Sequence, residues 1–211
     1  MNQFSKKDLT IVKKEVIWQG YFKMIKYYFT HQLFGGGSSP VVERELFERG
    51  TAVAVIPYDP VTDEIILIEQ IRVGAFNHDI NPWMIELVAG MIEENEQSSD
   101  VAKRELMEET GLDCLRLEKV MSYLPSPGGT SEKIDLYIAE VNAASVSDIA
   151  GLESENEDIK THRFSVKEAI ELLSQSHFEN GVTIIGLQWL ALHHQSIKQR
   201  WMPNSIKSEC E

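Results

Sequence analysis

Cysteine is scarce in this chain. Cys114 and Cys210 are the only two among 211 residues, and they lie far apart, so there is no disulfide framework of the kind that staples small secreted domains. The N-terminus carries no apolar signal segment, and no apolar run approaches the roughly 20 residues that a membrane-spanning helix needs. Together these absences lead us to expect a cytoplasmic protein with no membrane partner. Basic charge is in short supply too: 20 Lys and Arg stand against 33 Asp and Glu, a net charge of −13. Long-range electrostatics therefore disfavours nucleic acid and anionic surfaces. A phosphate-bearing substrate would need local cations, either metal ions or a few arginines. What the chain does have is 43% apolar content, enough for one core with appendages or one domain plus a small second one.

Residues 9–34 (LTIVKKEVIWQGYFKMIKYYFTHQLF) are rich in β-branched and aromatic side chains and are interrupted by Gln19-Gly20, the pattern of a β-hairpin. GGGSSP at 35–40 reads as a flexible tether. The following REL and FERG lead into TAVAVIPYDPVTDEIILIEQIRVGAF, two strands joined by a turn at Asp59-Pro60 and Asp63. WMIELVAG, after Pro82, reads as one strand running into Gly90. SSDVAKRELMEETG reads as a helix capped by Ser98 or Ser99 and ended by Gly111. Leu117–Leu124 and Lys133–Val141 are further expected strands, separated by PSPGGTSE. ESENED (153–158) should be a loop, SVKEAIELLSQ a helix opened by Ser165 and Glu168, and Val182–Leu192 a last helix. Hairpins without regular βαβ alternation argue for α+β or mixed α/β layers. The expected division is an N-terminal β-rich region over 1–48, a main domain over 49–200 and an irregular tail over 201–211.

The segment GMIEENEQSSDVAKRELMEETGL (90–112) holds seven carboxylates against two basic side chains. Glu105, Glu108 and Glu109 fall within an arc of about 100° on one helix face, where like charges repel unless a cation neutralises them. A solvated helix face tolerates that repulsion at a cost, which a bound cation would remove. The spacing is Gly90, five residues, Glu96, seven residues, Arg104-Glu105-Leu106, one residue, Glu108-Glu109, one residue, Gly111-Leu112. Nine fixed or class-restricted positions in 23 residues match the Nudix box, and on this match the chain is identified as resembling a Nudix hydrolase.

The resemblance implies the Nudix fold, a mixed α/β/α sandwich here carrying an N-terminal antiparallel β-hairpin subdomain. It also implies a set of ligands. Glu105 and Glu109 resemble the principal metal ligands, Glu108 a further one, and the carbonyl of Ala89 a backbone ligand. Arg104 is placed to orient carboxylates. The metal would be Mg2+, with Mn2+ as a substitute. Pro127 lies fifteen residues beyond Leu112, and SPGGTSE is similar to a substrate loop, which together point to the ADP-ribose pyrophosphatase branch. By the same resemblance Glu155 is the expected general base, and Glu157 a metal ligand or alternative base. Arg44, Arg72 and Glu132 resemble substrate contacts, and Tyr21 an adenine-stacking ring. The implied reaction is hydrolysis of ADP-ribose to AMP and ribose 5-phosphate. Another nucleoside diphosphate sugar, such as GDP-mannose or ADP-glucose, is the alternative substrate, and a non-catalytic nucleotide-sugar sensor the alternative from another class. A homodimer exchanging its N-terminal hairpins is implied as well.

Overall fold

The computed structural model describes residues 2–202. These residues divide into two compact units, 2–51 with 124–133, and 52–123 with 134–202.

In the first unit β1 (Leu9–Gln19) and β2 (Lys23–His31) form the expected hairpin, with Leu9 opposite His31 and Gln19 opposite Lys23. A third strand, β3 (Val42–Glu48), joins β2 antiparallel, so the sheet has three strands where the sequence pointed to two. Gly36 and Gly37 adopt φ of 91° and 78°, a region open to glycine, and turn the tether back on itself. VERELFE escaped the sequence pattern because charge dominates it. Those charges are cross-strand partners, as in the Lys26–Glu43 pair at 2.6 Å. The 124–133 loop is tied to this unit by Phe47 N–H donating to Gly129 O and Ser131 N–H donating to Phe47 O.

The second unit is built on an eight-stranded sheet. Its strands are β4 (Thr51–Asp59), β5 (Glu64–Ile71), β6 (Trp83–Glu86), β7 (Val88–Met91), β8 (Arg116–Tyr123), β9 (Lys133–Glu140), β10 (Ile149–Ala150) and β11 (Ile159–Ser165). The order is β10-β11-β5-β4-β9-β8, with β6 on β5 and β7 on β4. Both faces are covered. Ile56, Leu67, Leu136 and Ile138 pack with α2 (Val166–Ser174) and α3 (Gly181–Trp201). Val53, Val55, Ile66 and Ile68 pack with α1 (Ser98–Thr110). Central strands buried on both sides read as continuous apolar runs, which explains VAVI in β4 and IILI in β5. Each large aliphatic side chain so buried contributes about 1.5–3 kcal/mol. The class is α+β, as expected.

Four local expectations are corrected. WMIELVAG is two strands: β4 and β5 pair with each other only beside their turn, and the segment crosses from β5 to β4 in the gap. It breaks at Leu87, whose N–H donates to Thr183 Oγ1 at 3.0 Å and whose side chain lies under Gly186 of α3, where a Cβ would come within 2.5 Å of it. Neither serine caps α1. Gln97 holds the cap position without a side-chain bond, and the Ser98 hydroxyl is engaged with Tyr137 instead. Finally, α3 runs well beyond Leu192, because buried Ile197 and Trp201 continue the stripe of Leu187 and Leu190 behind a polar HHQS segment. Thus Trp201, assigned to the tail, is helical and buried, while 203–211, including Cys210, lies outside the described residues.

Candidate active site

Helix α1 presents its acidic side to β7. Val101, Ala102, Leu106 and Thr110 anchor it in the core. Gly111 ends it at φ 71° with its N–H on Met107 O, as sequence predicted. Because Leu106 and Thr110 point inward, Glu109 between them is carried inward as well, to 1% exposure. Its Oε2 accepts the Ala89 N–H at 3.0 Å. Glu105 lies against Gly90, where a Cβ would meet its carboxyl at 2.0 Å. Glycine at 90 thus leaves the room in which the Glu105 carboxyl stands, and a side chain there would displace that carboxyl.

Arg104 donates to Glu108 Oε2 at 2.9 Å and pairs with Glu105 Oε1 at 2.9 Å, with Glu96 at 3.8 Å. One guanidinium thus faces three carboxylates. Burial, opposed by Arg104 and reinforced by Glu108, Glu157 and Glu155, pushes the Glu105 carboxyl up to about 7. Burial also holds Glu109 well above the usual carboxylate range, reinforced by Glu105 and Glu157 and opposed by the Ala89 N–H and Arg72. Among the described residues, no three Asp, Glu, His or Cys side chains already converge as a finished metal cage. The chemistry of the donors still fits a hard divalent cation. Buried carboxylate oxygens outnumber the cation facing them, and added positive charge would remove the penalty that lifts both groups.

The ESENED loop belongs to this neighbourhood. Gly151 N–H donates to Glu108 O at 3.0 Å, and both Glu155 and Glu157 act electrostatically on Glu105. Glu153–Glu155 form a short helical turn ended by Asn156 at φ 57°. Glu155 is exposed, whereas Glu157 is half-buried with Oε2 on Leu152 N–H at 3.4 Å. Arg72 stands close enough to weigh on Glu109, and its guanidinium is gripped by Glu86. Gln70, two residues before it, has a buried Nε2 without a partner. Sequence reasoning passed over Glu86 and Gln70, since nothing in a strand pattern marks a buried polar residue as paired or unpaired.

The remaining expected residues lie in the first unit. Tyr21 is 89% exposed and meets Phe22 edge-on, with ring centroids 4.8 Å apart. Arg44 is exposed on β3 and donates to Glu43 O. Glu132 pairs with Arg49 at 3.3 Å, and that guanidinium also lies over Phe22 at 5.0 Å. Arg49 was not anticipated, because only a contact over 80 residues of sequence reveals it.

Residues 48–183 match the profile of the NUDIX domain. The chain belongs to the Nudix family. Its box is therefore α1 with the flanking β7 strand and Gly111 turn. The chain is 47% identical over 198 residues to the ADP-ribose pyrophosphatase of Escherichia coli K12, covering 94% of this chain and 95% of that one. It is 42% identical over 204 residues to the ADP-ribose pyrophosphatase of Haemophilus influenzae, covering 95% and 94%. The GDP-mannose pyrophosphatase of Yersinia enterocolitica is 29% identical over 184 residues, 86% of this chain and 94% of that one. A crystal structure of an ADP compounds hydrolase superposes with a TM-score of 0.68 at 22% identity, over 90% and 95% of the two chains. That likeness shows the fold.

Proposed function

We propose that this Nudix enzyme hydrolyses ADP-ribose to AMP and ribose 5-phosphate with Mg2+, Mn2+ serving as a substitute. The observation that carries this reading is the half-buried Glu105 against Gly90 beside the buried Glu109 on Ala89, in a chain that aligns over 94% of its length with an ADP-ribose pyrophosphatase. Glu105, Glu108 and Glu109, with the Ala89 carbonyl and Glu157, would hold the cation. Bound there, it supplies Lewis acidity to diphosphate oxygens and makes a nearby water easier to deprotonate. Arg104 keeps Glu105 and Glu108 in place. Arg72 offers positive charge to the diphosphate. Glu155 takes the proton from the attacking water as its oxygen bonds to phosphorus and the bridging P–O bond breaks. Tyr21 is the proposed stacking ring for adenine, Arg44 a further proposed contact to ADP-ribose and Glu132 the proposed contact on the terminal-ribose side.

The more distant GDP-mannose relative keeps a second substrate in view. A turnover panel of ADP-ribose, GDP-mannose and ADP-glucose with Mg2+, read by chromatography of the products, tests the choice. Highest kcat/KM on ADP-ribose is expected, and a preference for GDP-mannose would overturn the reading. The proposed setting is cytoplasmic, supported by the scarcity of cysteine. No helix among the described residues is long and apolar enough to cross a membrane. The proposed assembly is a homodimer with exchanged N-terminal regions 1–48, supported by the apolar side chains that β1 exposes.

A further inference from the structure

Glu86 is a carboxylate at 2% exposure at the end of β6. Both of its oxygens are committed. Oε2 accepts from Arg72 Nε at 2.8 Å and pairs with Arg72 Nη2 at 2.7 Å, while Oε1 accepts from Asn180 Nδ2 at 2.7 Å. Asn180 is itself fixed, since its Oδ1 caps α3 by accepting the Thr183 N–H at 3.0 Å. A rigid relay therefore runs from the N-terminus of α3 through Glu86 to the guanidinium. Arg72 Nη1 has no partner among the described residues, and the side chain keeps 42% exposure. The backbone on either side is held as well, with Arg72 N–H on Pro82 O and Ile71 opposite Trp83.

Burying the Glu86 carboxylate is a poor way to gain stability, because its desolvation offsets the attraction to Arg72. It is a good way to fix the direction of a fork whose unused edge must meet phosphate oxygens. We propose that Glu86 is a positioning residue for the substrate diphosphate: it holds Nε and Nη2 of Arg72 so that the Nη1 edge is presented to phosphate oxygens, and Asn180 in turn holds Glu86. The inference rests on the reading of Arg72 as a substrate contact.

The test is a double-mutant cycle on the full chain with ADP-ribose and Mg2+, accompanied by thermal midpoints. Arg72→Ala reads the underlying assignment by itself: if its KM is unchanged, Arg72 does not touch substrate, and that reading falls with the inference. With Arg72 intact, Glu86→Gln keeps the volume but removes the charge that grips the fork, so kcat/KM should fall about tenfold through KM, with kcat within about twofold. In the Arg72→Ala background the same change should cost less than about twofold, because the group it aims is gone. An equal loss in both backgrounds, or a lowered midpoint with unchanged kcat/KM, means that Glu86 acts only through the fold and overturns the inference. Should Glu86→Gln not fold, Asn180→Ser retains a helix cap while losing the donor to Glu86. It should raise KM by a smaller factor that likewise vanishes without Arg72, and an additive loss overturns the inference there too.

Discussion

Glu109 illustrates how one residue can be costly to the fold and valuable to the site. It is a carboxylate at 1% exposure with a single backbone donor from Ala89. Its neighbours Glu105 and Glu157 raise its pKa further. Glu109→Gln keeps the shape and removes the charge that a cation needs, so kcat should drop by about 10²-fold or more while the thermal midpoint holds or rises. A wild-type rate would refute the assignment. In the loop, Glu155 is exposed and free to act on water, whereas Glu157 is engaged with Leu152. Glu155→Gln should therefore keep binding and lose about 10²- to 10⁴-fold in kcat. Retention there with a loss in Glu157→Gln would reverse the two roles. The carboxylates of the box were readable because their chemistry is set by spacing on one helix. The partners of the arginines were not: Glu86 lies 14 positions from Arg72, and Asn180 a further 94 beyond Glu86, in a contact that only the folded sheet creates.

At the scale of elements, the turn between β4 and β5 is locked to the far end of α3. Asp63, at φ 60°, accepts from Tyr58 Oη at 2.9 Å, His194 Nε2 at 2.6 Å and Lys198 Nζ at 2.7 Å. Burial raises the Asp63 pKa, but the bonds from Lys198, His194 and Tyr58 outweigh it and leave the folded value below the usual 3.8. A depressed folded pKa contributes stability that is present above about pH 4 and is lost as pH falls through the folded value. Asn tolerates the left-handed turn, so Asp63→Asn isolates the charge. The variant should melt below wild type at pH 7, and the gap should close between pH 4 and pH 2, as followed by calorimetry. A gap independent of pH would mean that shape alone matters. This lock also explains why the end of α3 was missed. The histidines and lysine dilute its apolar stripe in sequence, yet His194 lies edge-on to the buried Tyr58 with ring centroids 5.9 Å apart, and His194 and Lys198 fasten the helix to the turn. The strands of the central sheet were easier to recognise, because burial on both faces leaves an unbroken apolar run.

At the scale of the whole molecule, β1 sets the remaining problem. Ile11, Val16, Ile17 and Trp18 are 56%, 51%, 46% and 56% exposed, and Phe34 is 82% exposed. Single exposed apolar side chains need no explanation, but a strand carrying this many marks an interaction surface. A second copy is the proposed cover. A specific interface buries about 1,600 Å² in total, and apolar area removed from water contributes about 25 cal/mol per Å². Light scattering should therefore give twice the 24.0 kDa of one chain. Because Ile11 and Val16 are already solvent-facing, Ile11→Lys with Val16→Lys leaves the strand itself unstrained and places like charges at the proposed contact. The pair should yield a folded monomer, with a thermal midpoint lowered only by the lost association. If adenine stacks on Tyr21 within the dimer, this monomer and a Tyr21→Ala dimer should both show a raised KM for ADP-ribose, with kcat less affected, since stacking serves ground and transition states alike. A wild-type enzyme that sediments as a monomer, or a double-lysine monomer with unchanged KM, would remove the exchanged-hairpin assembly from the account and leave the chemistry of the box standing without it.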